Sequence, residues 1–176
     1  NFAFIGDDQK RLEIAPSLSE KCSKFLVTMA RRYQIVLLGG GFPVPSTDGN
    51  RTLNRAELVG RDGQLLGRYD KIHLFDVDLP DGNKYRESET IIPGESLPPV
   101  INIPGLCKVG ISICYDVRFP ELYRHLVGEG AELLMIPAAF TAFTGKDHWQ
   151  VLLQARAIEN TAPNPSRVFE AYSKSG

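Results

Sequence analysis

Apolar residues spaced by three and four mark the first element of the chain: Leu18, Cys22, Phe25, Leu26, Met29 and Tyr33 share one face of a helix over 17–33. Its start is expected at Ser17-Leu18-Ser19-Glu20, an S-x-x-E capping box whose hydroxyl and carboxylate would satisfy the unpaired amides of a first turn. Ile35-Val36-Leu37-Leu38 then reads as a fully buried strand, stopped by Gly39-Gly40-Gly41. Strand-like stretches at 52–59 and 64–69 flank Gly60-Arg61-Asp62-Gly63, whose Asp-Gly pair supplies the positive-φ positions of a hairpin turn. Over 72–99 periodicity fades and Asp, Gly, Glu and Pro dominate, which predicts a long, ordered connection of the kind that carries function.

Val109-Gly110-Ile111-Ser112-Ile113 is a further buried strand, and Phe119-Pro120-Glu121-Leu122 opens a helix with proline in the first turn and an acid favoured by the helix dipole. A buried strand follows over 131–137. The spacing over 147–160 predicts a helix that buries Trp149, Leu152, Leu153, Ala157 and Ile158. Helices and strands alternate without an internal repeat, so the fold class is α/β and layered. After Thr161, Pro163 and Pro165 exclude both a regular helix and a central strand. The chain is therefore read as a domain over 1–161 followed by a divergent tail over 162–176.

Composition narrows the function classes. With 16 Gly, 12 Pro and 43% hydrophobic residues in 176, the chain is neither collagenous nor of low complexity. Its 20 basic and 21 acidic residues leave a formal net charge of −1, so no broad cationic surface is available for a phosphate backbone, and nucleic acid is not expected as a partner. No apolar run approaches the ~18–20 residues of a bilayer span, so no membrane partner is expected. Three cysteines, Cys22, Cys107 and Cys114, cannot build a disulfide framework, and no spacing among them suggests a metal site, which favours a reducing compartment. Gly39-Gly40-Gly41 lacks the continuation of a phosphate-binding loop, and no cofactor is implied.

The sharpest local feature is Gly110-Ile111-Ser112-Ile113-Cys114-Tyr115-Asp116-Val117-Arg118-Phe119-Pro120-Glu121, a strand that ends on a cysteine and turns at once into a helix. A side chain at such an elbow projects from the sheet, where following amides can favour a thiolate and hold an oxyanion. The competing reading is a small buried hydrophobe, which is also the reading for Cys22 and Cys107. A histidine base would come from His73, His125 or His148, none of which has a context that marks it as a partner of Cys114. Lys71 stands among Ile72, Leu74 and Phe75, which could carry its ammonium into a dry site, or it is a solvated strand-end lysine. Arg86-Glu87-Ser88-Glu89 is either solvated loop charge or a buried carboxylate near that lysine.

Together these segments resemble the nitrilase superfamily of carbon-nitrogen hydrolases, in its branch of omega-amidase and deaminated-glutathione-amidase-like proteins. The resemblance covers 1 to about 161 and rests on five motifs in order: Arg68 to Phe75, Arg86-Glu87-Ser88 with Pro93-Gly94, Gly110 to Glu121, Pro137-Ala138-Ala139-Phe140, and Ala155-Arg156-Ala157-Ile158-Glu159-Asn160. It implies an αββα sandwich, paired with a second subunit into a four-layer homodimer or higher homo-oligomer, and a Glu-Lys-Cys catalytic set. Carried over by motif, Cys114 is the nucleophile, Lys71 the oxyanion-stabilising cation, Glu87 a second glutamate that positions lysine and substrate, and the Tyr115 backbone amide a further oxyanion donor. The implied reaction hydrolyses a small terminal amide to acid and ammonia through a thioester. Nitrile hydrolysis, and an inactive fragment acting as an interaction or dominant-negative subunit, are the alternatives.

Two departures from the pattern carry expectations. The general-base glutamate of the family precedes the run resembling Asn1-Phe2-Ala3-Phe4, outside this chain. Such a base contributes a factor of about 10²–10⁴, so the polypeptide as written is expected to be inactive or severely impaired. Beyond Ala162 the family continues with an apolar strand, which Pro163 and Pro165 are expected to block. A cytoplasmic location is the default expectation, an organelle being open if a targeting segment lies ahead of Asn1.

Overall fold

Steps of three and four place Ala15, Leu18, Cys22, Leu26 and Ala30 on one stripe of helix α1 (Asp8–Tyr33), and that stripe lies against Phe42 and Val59 of a neighbouring sheet. The structure, a computed structural model, describes residues 8–78, 82, 84–140, 145–160 and 167–172. The sheet under α1 is antiparallel, β1 (Leu37–Pro45), β2 (Thr52–Val59) and β3 (Leu65–Asp70) in that order. The β2–β3 connection is the expected hairpin turn, with Gly63 at φ +83° and the Gln64 amide held by Asp62 Oδ1 at 2.9 Å. A small antiparallel hairpin follows, β4 (Asp76–Asp78) with β5 (Lys84–Arg86), inside the connection the sequence leaves without periodicity.

The second sheet begins with β6 (Val100–Ile103) antiparallel to β7 (Cys107–Ile111). After helix α2 (Pro120–Gly128) the chain returns as β8 (Leu133–Ala138), parallel to β7, and after helix α3 (Gln150–Glu159) as β9 (Arg167–Tyr172), parallel to β8. Both faces of this sheet are covered, and the pleat sorts the side chains. Val109 and Ile111 pack with Ala56, Leu58 and Tyr69 of the first sheet, while Leu134 and Ile136 pack with Leu122, Tyr123 and Leu126 of α2 and with Trp149. Gly110 faces α2, where an added Cβ would stand 3.0 Å from Leu126, so glycine permits this close helix approach. The layers run helix, sheet, sheet, helix, which is the expected α/β αββα arrangement.

Several expectations are corrected. The first helix begins at Asp8 and runs through Pro16, and Ser17 and Ser19 donate back to the Ile14 and Pro16 carbonyls, so Ser17 is no N-cap. Phe25 and Tyr33 lie outside the buried stripe and are exposed, as are Ile35 and, on α3, Ile158. Gly39-Gly40-Gly41 does not stop a strand but forms the middle of β1. A Cβ on Gly39 would reach 2.5 Å from Leu26, and one on Gly40 would stand 2.6 Å from the Ala56 Cβ, so the glycines let helix and strand close on this one. A strand does form in the tail, because β9 starts at Arg167, beyond both prolines; Pro163 and Pro165 themselves lie outside the described residues. No helix among the described residues is long and apolar enough to cross a membrane.

Candidate active site

Strand β7 delivers the chain to Ser112 and Ile113, and a 3₁₀ turn, Cys114–Arg118, then redirects it into α2. Cys114 takes φ +51°, a left-handed conformation that a side chain rarely adopts and that aims it off the sheet edge. Asp116 holds the turn together. Its carboxylate is fully buried and accepts from the Ile113 amide at 2.8 Å, the Tyr69 hydroxyl at 2.9 Å, and the His73 amide and ring Nδ1 at 3.3 and 2.7 Å. The elbow is thereby tied to β3 and to the segment just beyond Lys71. His73 also stacks on Phe119 at 3.6 Å between centroids. His73 is thus engaged by Asp116, and His148 meets Arg118 at 3.1 Å. A Cys-His pair with Cys114 is not among the described contacts.

Lys71 follows β3, its amide donating to the Asn54 carbonyl at 2.9 Å and its own carbonyl accepting from Gly94 at 2.9 Å. A Cβ on Gly94 would collide with the Asp70 carbonyl, so the Pro93-Gly94 motif serves this close backbone approach. The Lys71 side chain is 2% exposed and its Nζ lies 2.5 Å from Glu87 Oε2, whose side chain is 15% exposed. Glu87 reaches inward because the Phe75 amide donates to the same oxygen at 2.6 Å and Asn54 Nδ2 approaches the other at 3.5 Å. Turning its amide toward Glu87 leaves Asn54 Oδ1 buried and without a hydrogen-bond partner among the described residues. The sequence left open whether Lys71 and Glu87 are solvated; they form a buried ion pair.

Cys114 and this pair line one cleft of about 790 Å³, with Tyr115, Phe75, Tyr85 and Phe140 among its walls. The Cys114 thiol stands 3.8 Å from the Ala139 carbonyl, which gives the Pro137 to Phe140 motif its place beside the nucleophile candidate. Burial pushes the thiol above its ordinary range, Lys71 and the Ala139 contact pull it down, and Glu87 and Asp116 push it up. The net direction is upward, which favours the thiol over the thiolate. Tyr115 packs edge-on to Phe75 at 5.1 Å and to Phe119 at 5.6 Å, which fixes the residue whose amide follows Cys114.

Cys22 is buried on the sheet-facing side of α1 and Cys107 is part-buried in β7, both away from the cleft, and all three cysteines are free. Three contributors carried no role in the sequence reading. Asp116 is one; Asn54, which holds Lys71 and approaches Glu87, is another. The third is Arg156, buried on α3, whose Nε donates to the Val117 carbonyl at 2.9 Å and whose guanidinium stands over the Tyr123 ring at 5.7 Å. It braces the elbow turn from behind. For Asp116 and Arg156 a charged residue inside an apolar motif was the available signal, since a charge is buried only where something pairs with it; Asn54 carried none. No group of three or more metal-ligating side chains occurs among the described residues.

The carbon-nitrogen hydrolase family model matches residues 2–170. Deaminated glutathione amidase of Synechocystis sp. (strain PCC 6803 / GT-S) is 56% identical over 162 residues, covering 92% of this chain and 60% of that protein. Omega-amidase NIT2-B of Xenopus laevis is 40% identical over 148 residues, covering 84% of this chain and 52% of that protein. Among solved structures, the C. elegans NitFhit protein superposes with a TM-score of 0.85 at 36% identity, over 96% of this chain and 40% of that one. Saccharomyces cerevisiae Nit3, a member of branch 10 of the nitrilase superfamily, superposes with a TM-score of 0.68 at 34% identity, over 80% of this chain and 47% of that one. The chain thus spans about half to three-fifths of the length of the curated relatives it matches.

Proposed function

The chain belongs to the carbon-nitrogen hydrolase family, and on that premise we propose that it carries the nucleophile of a thiol amidase site, which converts a small terminal amide to acid and ammonia. The observation that carries this reading is the convergence of Cys114, at a left-handed elbow, with the buried Lys71–Glu87 pair in one cleft. Cys114 Sγ bonds to the amide carbonyl carbon while its proton passes to a base. The resulting oxyanion is met by the Lys71 ammonium and the Tyr115 amide, donors of a kind worth about 10²–10³ in rate each. Collapse breaks the C–N bond, and the nitrogen takes the proton from the base and leaves as ammonia. Water then adds to the thioester, the C–S bond breaks, and acid and free thiol are released.

Glu87 does not serve as that base in this reading. Its Oε2 already accepts from Lys71 and from the Phe75 amide, so its part is to hold the ammonium in place. The proton acceptor in this reading is then a different group, in keeping with the family's separate glutamate. A second copy of the chain is the proposed partner, and exposed Val151 and Ile158, seven residues apart on the outer face of α3, support pairing through the helix layer.

The test is ammonia release from a panel of omega-amides, with mass spectrometry of the trapped acyl-enzyme. The chain as given is compared with one carrying a relative's glutamate-bearing strand ahead of residue 1, each alongside Cys114→Ala. Release and an acyl adduct that both vanish in Cys114→Ala are expected from the extended chain. Release that survives Cys114→Ala refutes the assignment, and silence from the extended chain refutes the amidase reading.

A further inference from the structure

The first half of β2 runs between the two segments that carry the Lys71–Glu87 pair. On one side Thr52 donates to the Thr90 carbonyl and accepts from the Ile92 amide, both at 2.9 Å. On the other, the Asn54 carbonyl accepts from the Lys71 amide at 2.9 Å. The Thr90 and Ile91 amides in turn donate to the Glu87 carbonyl at 3.2 and 2.9 Å, which closes the short turn between Glu87 and this strand. The backbone of Asn54 is thereby fixed relative to both members of the pair.

Side chains alternate between the faces of a strand, so Asn54 shares a face of β2 with Ala56 and Leu58. Those two pack with Val109 and Ile111 of the second sheet, and Asn54 continues the row into the cleft that Gly41, Lys71, Glu87 and Cys114 also line. A Cβ on Gly41 would collide with Asn54 Oδ1, so the glycine leaves room for the oxygen end of this side chain. The other end, Nδ2, faces Glu87 Oε1 at 3.5 Å. An oxygen in its place would set acceptor against acceptor, which fixes the way the amide points. The two oxygens of Glu87 thus have separate tasks. Oε2 accepts from Lys71 Nζ at 2.5 Å and from the Phe75 amide at 2.6 Å, and a carboxylate held at one oxygen alone can still swing about it. Asn54 limits that swing at Oε1. An ammonium has three donors, of which Glu87 takes one, and the set of the carboxylate decides where the other two point.

Resting on the amidase reading of this cleft, we infer that Asn54 is a positioning residue: its side-chain amide holds the second oxygen of Glu87, and through Glu87 it aims the Lys71 ammonium at the carbonyl oxygen of the substrate. It acts on the charge that develops in the transition state and not on the bound amide, so its loss lowers kcat and leaves KM in place.

Two measurements test this, one of them without turnover. In the extended chain, Asn54→Ala and Asn54→Asp are expected to lower kcat about tenfold or more, with KM for the same omega-amide within about twofold, since misplacing a reacting group by ~1 Å can cost about 10² in rate. In the chain as given, urea denaturation compares the effect of Glu87→Gln in the wild-type and Asn54→Asp backgrounds. Asn54→Asp keeps the shape of the side chain but sets a second carboxylate against Glu87. Glu87→Gln, which orphans Lys71 in the wild type, is therefore expected to lower the urea midpoint there and to raise it in the Asn54→Asp background. An Asn54→Asp chain that folds only when Glu87→Gln is added is the same result in its extreme form. An equal effect of Glu87→Gln in both backgrounds overturns the inference, as does failure of both Asn54→Asp chains to fold. Ammonia release at undiminished kcat, or a loss confined to KM, overturns it while leaving the amidase reading intact. The reversal in urea with no ammonia from any amide, wild type included, supports the hold on Glu87 and refutes the amidase reading instead.

Discussion

Removing one partner of the Lys71–Glu87 pair is the sharpest physical test of the site. Lys71 is 2% exposed and Glu87 15%, with 2.5 Å between Nζ and Oε2, so neither charge can turn to water without disturbing its neighbours. Breaking a buried pair by deleting one member costs about 3–5 kcal/mol, because the remaining charge stays desolvated. The partial exposure of Glu87 and the hydrogen-bonding capacity kept by glutamine put Glu87→Gln at the lower end, about 3 kcal/mol. For a chain of this size that is a fall in Tm of roughly 6–12 °C. Replacing both members by neutral residues of similar shape removes the orphaned charge, so Glu87→Gln/Lys71→Met is expected to cost only about 1 kcal/mol. The assay is urea denaturation of the wild type, both single variants and the double variant, followed by both fluorescence and circular dichroism to test for a two-state transition. Additive single costs, with a coupling energy under about 0.5 kcal/mol, would show a screened contact of the surface kind and refute the argument.

Other consequences follow from the elbow. Asp116→Ala leaves two backbone amides, the Tyr69 hydroxyl and the His73 ring without their acceptor, and should destabilise the fold by about 3 kcal/mol or more in the same denaturation assay. At φ +51° the usual order of alanine over glycine inverts, so Cys114→Gly should be about 1 kcal/mol more stable than Cys114→Ala; alanine the more stable of the two would contradict the left-handed backbone. Because burial raises the Cys114 thiol, its thiolate fraction lies below that of a free cysteine throughout the range of roughly pH 7–9. Alkylation followed by peptide mass spectrometry should therefore climb without a plateau across that range, and a plateau near neutrality would refute the direction. The sign carries over to stability: the folded chain holds this proton more tightly, so the contribution is fully present below the unfolded thiol pKa and is lost as pH rises through the folded one.

Local patterns specified much of this molecule without help from the fold. The β2–β3 hairpin is written in its turn residues, since Asp62-Gly63 supplies both the side-chain acceptor and the positive φ. The strand, cysteine, turn and proline-led helix over 109–122 are likewise local events, and the structure places the elbow where the sequence does. Boundaries fared less well where packing overrode a local signal. Ser17 resembles a cap, yet the helix runs through it because the stripe from Ala15 to Ala30 has a sheet to cover. Three glycines resemble a stop, yet they continue β1 because Leu26 and Ala56 need the space that side chains would fill. Pro163 and Pro165 resemble the end of the sheet, yet two residues after the second proline the chain pairs with β8.

The chemistry divides along the same line. Which side chains can act as nucleophile, cation and carboxylate is a property of the residues themselves, so Cys114, Lys71 and Glu87 were all legible as candidates. Whether Lys71 is wet or dry, and whether Glu87 faces it, depends on contacts made across the fold: Asn54 to Lys71, Phe75 to Glu87, and Asp116 back to Tyr69, a span of 47 residues. Solvent screening makes a surface ion pair weak and desolvation makes a buried one costly to break; which of the two applies is set by what packs on top of the pair, and no periodicity along the chain encodes that. The sequence by itself determined the groups available for reaction, and the tertiary structure decided their burial, their partners and their shared cleft.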